Sequence, residues 1–360
     1  MRPYVLVAAD FVRTGGMDRA NLALATSLAE RGHPVHVVTH RADEALSASP
    51  NVTVHRVPRP AGSNFLGEGL LNIAGRRCAS SLRARDAAVL VNGGNCDWHD
   101  VNWVHYVHAA WRDPGASLRA KLTHNVFLRN ERSIVPRCRL VFANSVRTRQ
   151  DLIERLGVPA ERIHVVYYGT EKAIETTGPL SRPRVAFIGA MSDRRKGFDT
   201  LFAAWRTLCA DSRWDADLVV IGTGRALPAW KQRAEEAGLA ARIEFAGFQR
   251  DVPSILRSCS ALVSPVRYEA FGLAVQEALC LGVPALVSRD AGVAEVYPGE
   301  LSALLIPDPE DAQDLVERLR HWRNRAAEYR QALAPLSARL RAYTWRDMAE
   351  RMTTLMEQAQ

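Results

Sequence analysis

Glu269 and Glu277 are the residues whose placement most suggests chemistry. They flank Phe271-Gly272-Leu273, in a run that follows the apolar segment Ala261 to Ser264 and closes at Gly282 and Pro284. Glycine and proline there are helix-stop signals, so the pattern predicts a helix containing Glu277, with Glu269 in the loop before it. A helix N-terminus offers unpaired N–H groups and a positive dipole end, which suits a diphosphate. Gly272 lets the backbone come close to such a ligand. Glu277 lies about 7 Å of helix rise beyond Gly272. A diphosphate at the helix end then has a carboxylate on each side. Carboxylates accept paired hydrogen bonds from vicinal hydroxyls, one holding a sugar and the other a ribose. The competing reading is a solvated loop acid and a helix-surface acid. Against it, Glu277 sits among Ala274, Val275, Ala278, Leu279 and Leu281, an unusual place for a merely solvated charge.

The elements that must position these residues alternate in type. Val5 to Ala9 is a short apolar run, followed by the loop Arg13-Thr14-Gly15-Gly16-Met17. Residues 18 to 31 have a helical period with Leu22, Ala25, Leu28 and Ala29 on one face, and Gly32 and Pro34 end it. Val35 to Thr39 is the next strand. Val89 to Asn92, Leu140 to Asn144 and Val165 to Gly169 continue the first half, and the polar stretch Glu171 to Arg184 reads as a linker. A second half starts at Val185 to Gly189. Its later strands are Leu218 to Gly222, Ile243 to Ala246, Ala261 to Ser264 and Ala285 to Ser288, and the chain is helical after Pro309. This alternation predicts an α/β protein with parallel sheets.

Length and composition agree. The chain has 360 residues, 47% of them hydrophobic, which favours two domains. The formal net charge of +8 attracts polyanions without choosing among nucleic acid, anionic lipid and phosphorylated substrates. No nucleic-acid-binding motif or interleaved aromatic platform accompanies it, so nucleic acid is not an expected partner. The six cysteines form no Cys-x-x-Cys pair and read as buried thiols of a reducing compartment. No apolar run approaches the roughly 20 residues of a membrane span. The N-terminus lacks the apolar region and cleavage site of a signal peptide, so the expected location is cytoplasmic, peripheral at the inner face of the membrane.

With Phe271-Gly272-Leu273, Glu277-Ala278 and the two glutamates in place, the sequence resembles family 4 of the retaining glycosyltransferases. The resemblance covers nearly the whole chain. It implies the GT-B architecture, two Rossmann-like domains facing an interdomain cleft. Residues 1–172 would form an N-terminal acceptor domain, to which 344–360 returns, and 183–343 the C-terminal donor domain. Tyr343-Thr344-Trp345-Arg346-Asp347 resembles the returning segment. Carried over, Glu269 contacts the donor sugar and Glu277 the ribose, with Phe271, Gly272 and Leu273 lining the donor site. Arg194-Arg195-Lys196-Gly197-Phe198-Asp199 is similar to the family's basic Lys-Gly stretch. There Lys196, aided by Arg195, neutralises the leaving diphosphate, since a fixed cation stabilises charge as it develops. The alternative is an exposed basic turn. One departure stands out: Ala190 follows Gly189 where the family often has arginine. Gly222-Thr223-Gly224 and Phe248-Gln249-Arg250-Asp251-Val252 also resemble family segments, the second near the base pocket, although a lone Gly-x-Gly more often marks a turn.

In the first half, Gly15-Gly16 matches the family's glycine pair that approaches the donor phosphate, and Asn21 is either nearby or on the surface. Val104-His105-Tyr106-Val107-His108-Ala109 reads as a strand, with His105 and Val107 on one face and Val104, Tyr106 and His108 on the other. The resemblance puts the cleft histidine, which hydrogen-bonds the reacting sugar, at His108. His105 is the weaker candidate, and either could be a core histidine. Asn144-Ser145 matches a signature whose role there is structural.

Asp215-Ala216-Asp217 spells a metal–diphosphate motif, but it precedes a strand, whereas nucleotides bind at strand carboxyl ends. No catalytic metal and no cofactor is expected; the nucleotide sugar is a substrate. Residues 111 to 149 are strongly basic, with Arg112, Arg119, Lys121, Arg129, Arg132, Arg137, Arg139, Arg147 and Arg149. Together with Trp111, Leu118, Leu122, Phe127 and Leu128 they suit an anionic membrane surface or a lipid-linked acceptor, or else form a solvated basic face. The expected activity is transfer of a hexose-type sugar from a nucleotide sugar to a glycan or lipid-linked acceptor in polysaccharide or glycoconjugate synthesis. The alternatives are a nucleotide-sugar epimerase of the same fold and an inactive protein that binds sugar nucleotides or polyanions.

Overall fold

A computed structural model describes residues 1–171 and 183–359. The chain divides into two compact units, Met1–Gly169 with Tyr343–Gln360, and Thr170–Ala342. The first unit contains β1 (Tyr4–Val7), β2 (Asp10–Phe11), α1 (Gly16–Glu30), β3 (Val35–Thr39), β4 (Arg41–Ala42), α2 (Glu44–Ser47), β5 (Val52–Arg56) and α3 (Asn64–Leu82). It continues with β6 (Ala88–Val91), β7 (Val101–Val104), α4 (Leu118–Ile134), β8 (Leu140–Ala143), α5 (Val146–Leu156) and β9 (Ile163–Val165). Seven of its strands form one parallel sheet in the order β5-β3-β1-β6-β7-β8-β9. The strands β1, β6, β7 and β8 are buried on both faces, which is why they read as continuous apolar runs.

The second unit contains β10 (Arg184–Ile188), α6 (Phe198–Cys209), β11 (Asp217–Ile221), α7 (Leu227–Glu236), β12 (Ile243–Gly247), α8 (Val252–Arg257) and β13 (Ala261–Ser264). Then follow α9 (Leu273–Cys280), β14 (Ala285–Ser288), β15 (Leu305–Ile306), α10 (Ala312–Asn324) and α11 (Ala326–Arg341). Its parallel sheet runs β12-β11-β10-β13-β14-β15 over a core that includes Phe187, Trp205 and Trp322. Both sheets reverse their winding beside their first strand, at β1/β6 and at β10/β13. Ligands of open α/β sheets bind at the strand carboxyl ends at such switch points.

The last helix, α12 (Trp345–Gln358), belongs to the first unit. A capping box of Thr344 and Asp347 starts it, and Met348, Met352 and Met356 are buried. Arg19 of α1 lies over the Trp345 ring at 5.6 Å. A side chain at Gly169 would come within 2.3 Å of the Thr344 backbone, so only glycine fits that crossing.

Several expectations need correction. Residues 105–109 are not in a strand, and of the expected run only Val104 is, as the last residue of β7. Pairing of β7 with β8 stops at Val104↔Ala143, and His108–Ala110 is a short 3-10 turn. The cause is a carboxylate from α4, described below. The strand expected at Val165 to Gly169 is β9, Ile163–Val165. The first helix begins two residues earlier than expected, and its buried face is centred on Leu24 and Leu28 rather than Leu22. Arg184 lies in β10, and residues 172–182 of the expected linker lie outside the described residues. Leu128 is buried, not part of an exposed face. All six cysteines are free; five are buried and Cys209 is half-buried. Burial pushes the Cys96 and Cys280 thiols up to about 12, which removes them as nucleophiles. Among the described residues no helix is long and apolar enough to cross a membrane.

Candidate functional site

In the second unit the loops after β10 and β13 meet at the switch point. The loop after β10 ends in a 3-10 turn, Arg194–Lys196, closed by Gly197 at φ +72°. A Cβ on Gly197 would fall 1.8 Å from the Pro265 carbonyl oxygen, so the two loops can touch only at glycine. The contact delivers two cations to one carboxylate. Lys196 Nζ is 2.5 Å and Arg195 Nη1 3.4 Å from Glu269 Oε2. Arg195 is itself braced, donating to the Tyr268 carbonyl at 2.9 Å and pairing with Asp193 at 3.1 Å. Burial alone would raise the Glu269 carboxyl pKa; Lys196 and Arg195 outweigh it, and the net shift is downward. Glu269 is therefore ionised and Lys196 is held in place.

Gly272 is the N-cap of α9 at φ +111°, and a Cβ there would meet Val293 at 2.9 Å. The Phe271 carbonyl accepts from Val293 N at 2.7 Å, and the Glu269 carbonyl accepts from Gly292 N at 3.0 Å. These bonds fix the loop that aims the first turn of α9, with Leu273 at its start. Glu277 lies on the half-buried side of that helix. Arg194 pairs with Asp199 at 3.5 Å and stays half exposed, which separates it from its two neighbours. Gly222 and Gly224 take φ +142° and +150°, and side chains there would strike Gly189 O and Ser192 N, so this Gly-x-Gly is a close backbone approach. Phe248 is 64% exposed beside the Asp251 cap of α8. Asp215 and Asp217 pair with Arg323 at 2.5 Å and Arg242 at 2.8 Å, at the start of β11.

In the first unit the Gly15-Gly16 loop opens α1, with Gly15 at φ +87°. Close by, the Asp18 carboxyl is pushed up to about 7, by burial and then by Asp10. Asn21 is buried, not on the surface, and its Oδ1 accepts from Asn92 Nδ2 at 3.2 Å. Asn92, at the carboxyl end of β6, opens a cavity of about 370 Å³ that reaches His105, His108, Glu68 and Glu131. Glu131 is 1% exposed. Its two oxygens accept from the backbone N–H groups of His108 at 2.8 Å and Ala109 at 3.0 Å. This bidentate grip turns the chain out of the sheet after β7 and orients His108. Burial pushes Glu131 up to about 7 against those two bonds. Burial and His124 push His108 down to about 4, so it is a neutral imidazole at pH 7. His105 is buried, its Nδ1 2.5 Å from the Tyr168 hydroxyl, and burial pushes it down to about 3. Asn144 donates to the His105 carbonyl and to the Tyr168 oxygen, and Ser145 caps α5.

The structure thus brings Arg195, Lys196, Glu269, Phe271, Gly272, Leu273 and Glu277 together in one unit, and Gly15, Gly16 and His108 at strand carboxyl ends of the other. Sequence reasoning missed Glu131, Glu68, Asn92 and Trp103. Glu131 had a signal: with Leu128 and Ile134 it falls on the buried stripe of α4. One group among the described residues could hold a metal: His36, His55 and Cys78, with His36 Nδ1 3.1 Å from His55 Nε2. None of the proposed site residues belongs to it.

Comparison with known proteins defines the class. The profile described as "Glycosyl transferases group 1" matches residues 170–335, and "Glycosyltransferase Family 4" matches residues 14–173. The chain belongs to this glycosyltransferase family, and its two parallel α/β units are those of the GT-B fold. It is 25% identical to the mannosylfructose-phosphate synthase of Agrobacterium fabrum (strain C58 / ATCC 33970) over 64% of this chain and 55% of that one. It is 29% identical to the alpha-D-kanosaminyltransferase of Streptomyces kanamyceticus over 52% and 53%. The matched stretches thus span about half the length of these two relatives. With the D-inositol 3-phosphate glycosyltransferase of Gordonia bronchialis it shares 26% identity over 81% of this chain and 73% of that one. Sucrose-phosphate synthase from Thermosynechococcus elongatus has the same fold, with a TM-score of 0.81, 19% identity and 99% coverage of both chains. So does Anabaena Alr3699/HepE in complex with UDP-glucose, with a TM-score of 0.72, 15% identity and coverage of 99% and 100%.

Proposed function

We propose that the chain is a retaining glycosyltransferase that moves a hexose-type sugar from a nucleotide-diphosphate sugar to a hydroxyl of a glycan, glycolipid or lipid-linked acceptor, without a metal. The observation that carries this is the Arg195–Lys196–Glu269 cluster beside the N-terminus of α9. Two braced cations and a helix end supply the positive field that a departing diphosphate needs. Glu269, ionised, accepts hydrogen bonds from hydroxyls of the donor sugar, and Glu277 serves the ribose. Phe248 offers an exposed ring to the base. His108, a neutral imidazole, can donate a hydrogen bond to a sugar hydroxyl without adding charge. Retention follows from attack on the same face as the leaving group, with the leaving phosphate as the base. The relative that binds UDP-glucose favours a nucleotide sugar of this kind.

The acceptor is proposed to lie at an anionic membrane surface. Phe65, Leu66, Leu70 and Ile73 on α3 and Leu118 and Leu122 on α4 are exposed. The two helices meet through the Phe65 and Phe127 rings, 6.2 Å apart, and carry exposed Arg76, Arg77, Arg119, Lys121 and Arg129. A thermal-shift screen of UDP, GDP and ADP sugars identifies the donor, since specific binding raises Tm. With that donor, Glu269→Ala is expected to abolish transfer. Unchanged turnover in the variant defeats the assignment, and conversion of the donor to its epimer without acceptor replaces it by epimerisation.

A further inference from the structure

We propose that His36, His55 and Cys78 form a zinc-binding site, with two imidazole nitrogens and one thiolate as ligands and water in the fourth position. The site lies at the edge of the first unit's sheet. It shares no residue with the proposed transfer site and does not rest on the glycosyl-transfer reading.

The sheet register puts the ligands together. β3 and β5 pair in parallel with His36 opposite Thr53 and Val38 opposite His55, so the two histidines are diagonal neighbours on one face. The pairing of Val5 with His36 and with Val89 carries that face across the sheet. On it Val5, Val7, Val38, Val89 and Val91 pack in one cluster with Cys78 of α3. The face is valine beneath the helix, and two histidines stand at its outer edge, beside the cysteine. His36 Nδ1 is 3.1 Å from His55 Nε2, and the two rings are stacked with centroids 5.4 Å apart. One ligand atom from each of the three residues lies within 4.8 Å of the other two. Tetrahedral zinc, with Zn–N of about 2.0–2.1 Å and Zn–S of about 2.3 Å, sets two nitrogens about 3.3 Å apart and nitrogen and sulfur about 3.6 Å apart. Closing this set on zinc therefore takes side-chain shifts of roughly 1 Å.

The donors choose the metal. Imidazole and thiolate suit zinc, whereas magnesium and calcium take oxygen ligands, and the set holds no carboxylate. Burial pushes both imidazoles below their ordinary value, so both are neutral at pH 7, the form that ligates. Burial pushes the Cys78 thiol up to about 11, so it keeps its proton until a cation displaces it. Coordination forms the Zn–S bond and releases that proton to solvent. The proton shared between the histidines moves to the other nitrogen of its own ring, so the imidazoles release none. Arg85 acts on His36 from the turn after α3, where it is exposed and screened by water. β5 is the edge strand of the sheet, bonded on one side only, and the metal would tie it to β3 and α3.

The full chain, stripped with chelator under reducing conditions, is titrated with Zn²⁺ by calorimetry. One equivalent is expected to bind, to release one proton, read from the dependence of the heat on the buffer's ionisation enthalpy, and to raise Tm. Co²⁺ in its place is expected to give the visible bands of a tetrahedral ion and a sulfur-to-cobalt charge-transfer band. Cys78→Ser is expected to abolish the charge-transfer band, and His55→Gln to weaken zinc by at least about tenfold. His55 is half-buried, so His55→Gln covers the case in which Cys78→Ser does not fold. Cys209→Ser, at the half-buried thiol of the other unit, is expected to leave binding unchanged. No zinc binding by the stripped chain, a cobalt complex without the sulfur band, or binding that survives both Cys78→Ser and His55→Gln overturns the proposal. Binding that is lost in Cys209→Ser places the zinc elsewhere and also overturns it.

Discussion

Glu269 and Glu131 are both carboxylates that meet loops at the carboxyl ends of parallel strands, and their surroundings push them in opposite directions. Around Glu269 two cations outweigh burial and hold the charge. Around Glu131 burial outweighs two backbone N–H groups and holds the carboxyl near 7. The first arrangement prepares a field for a charged ligand, and its polar groups pair with one another until one arrives. The second keeps its acid occupied with the backbone N–H groups of His108 and Ala109. The same location, the carboxyl end of a parallel sheet, thus holds an ionised carboxylate in one unit and a carboxyl pushed toward neutrality in the other.

This contrast can be broken at either end. The largest effect is expected from Lys196→Ala, which removes the cation proposed to act on the leaving group: turnover falls by about 10²–10³, read as nucleoside diphosphate release. A smaller loss means that Arg195 alone carries the charge. Glu131→Ala strips the partner from two buried N–H groups and is expected to cost about 2–4 kcal/mol. For a unit of this size that is a fall in Tm of roughly 4–16 °C by calorimetry. An unchanged Tm shows that the turn at His108 does not need the carboxylate.

Next comes pH. The folded pKa values of Glu131 and Asp18, about 7 for each, lie above the ordinary 4.5 and 3.8. The folded state then binds more protons, so the stabilisation is complete below those ordinary values and is lost as pH rises through about 7. Thermal melts between pH 4 and pH 8 are expected to show the first unit losing on the order of 1–3 kcal/mol across that window, with a flatter profile in Glu131→Gln. The smallest effect belongs to Asp215→Asn. Its pair with Arg323 lies at the surface, so stability should change by less than about 1 kcal/mol. Turnover should not change, and chelator should not alter it either. A large loss in either experiment makes this Asp-x-Asp a metal site and ends the argument from sheet polarity.

Legibility followed the same divide. The proposed donor residues lie on two short segments whose glycines and apolar strands announce a loop at a helix start, so the second unit's cluster was visible in sequence. The cavity draws residues from α1, α3, α4, β7 and the loops after β6 and β7, segments spread over more than a hundred positions that no one motif joins. Glu131 was missed because the basic stretch 111–149 was weighed by its charge; the periodicity of Glu131 with Leu128 and Ile134 held the information. Residues 104–109 alternate like a strand, and only a side chain from 27 or fewer positions further on ends the pairing. The edge strand β5 was missed although Val52-Thr53-Val54-His55 alternates as a half-buried strand does, because only continuous apolar runs were taken as strands. Ala190 remains a departure from the family pattern, and Arg195 is the second cation at Glu269.

The return of α12 to the first unit also sets a schedule for biosynthesis. The second unit is contiguous, whereas the first cannot cover α1 until Trp345 has been made. At about 5–20 residues per second the ribosome takes roughly 10–35 s to pass from Gly169 to Tyr343. During that interval the surface of α1 that will hold Trp345 and the three buried methionines stays open to water, to chaperones and to other nascent chains. The unit translated first is the unit completed last.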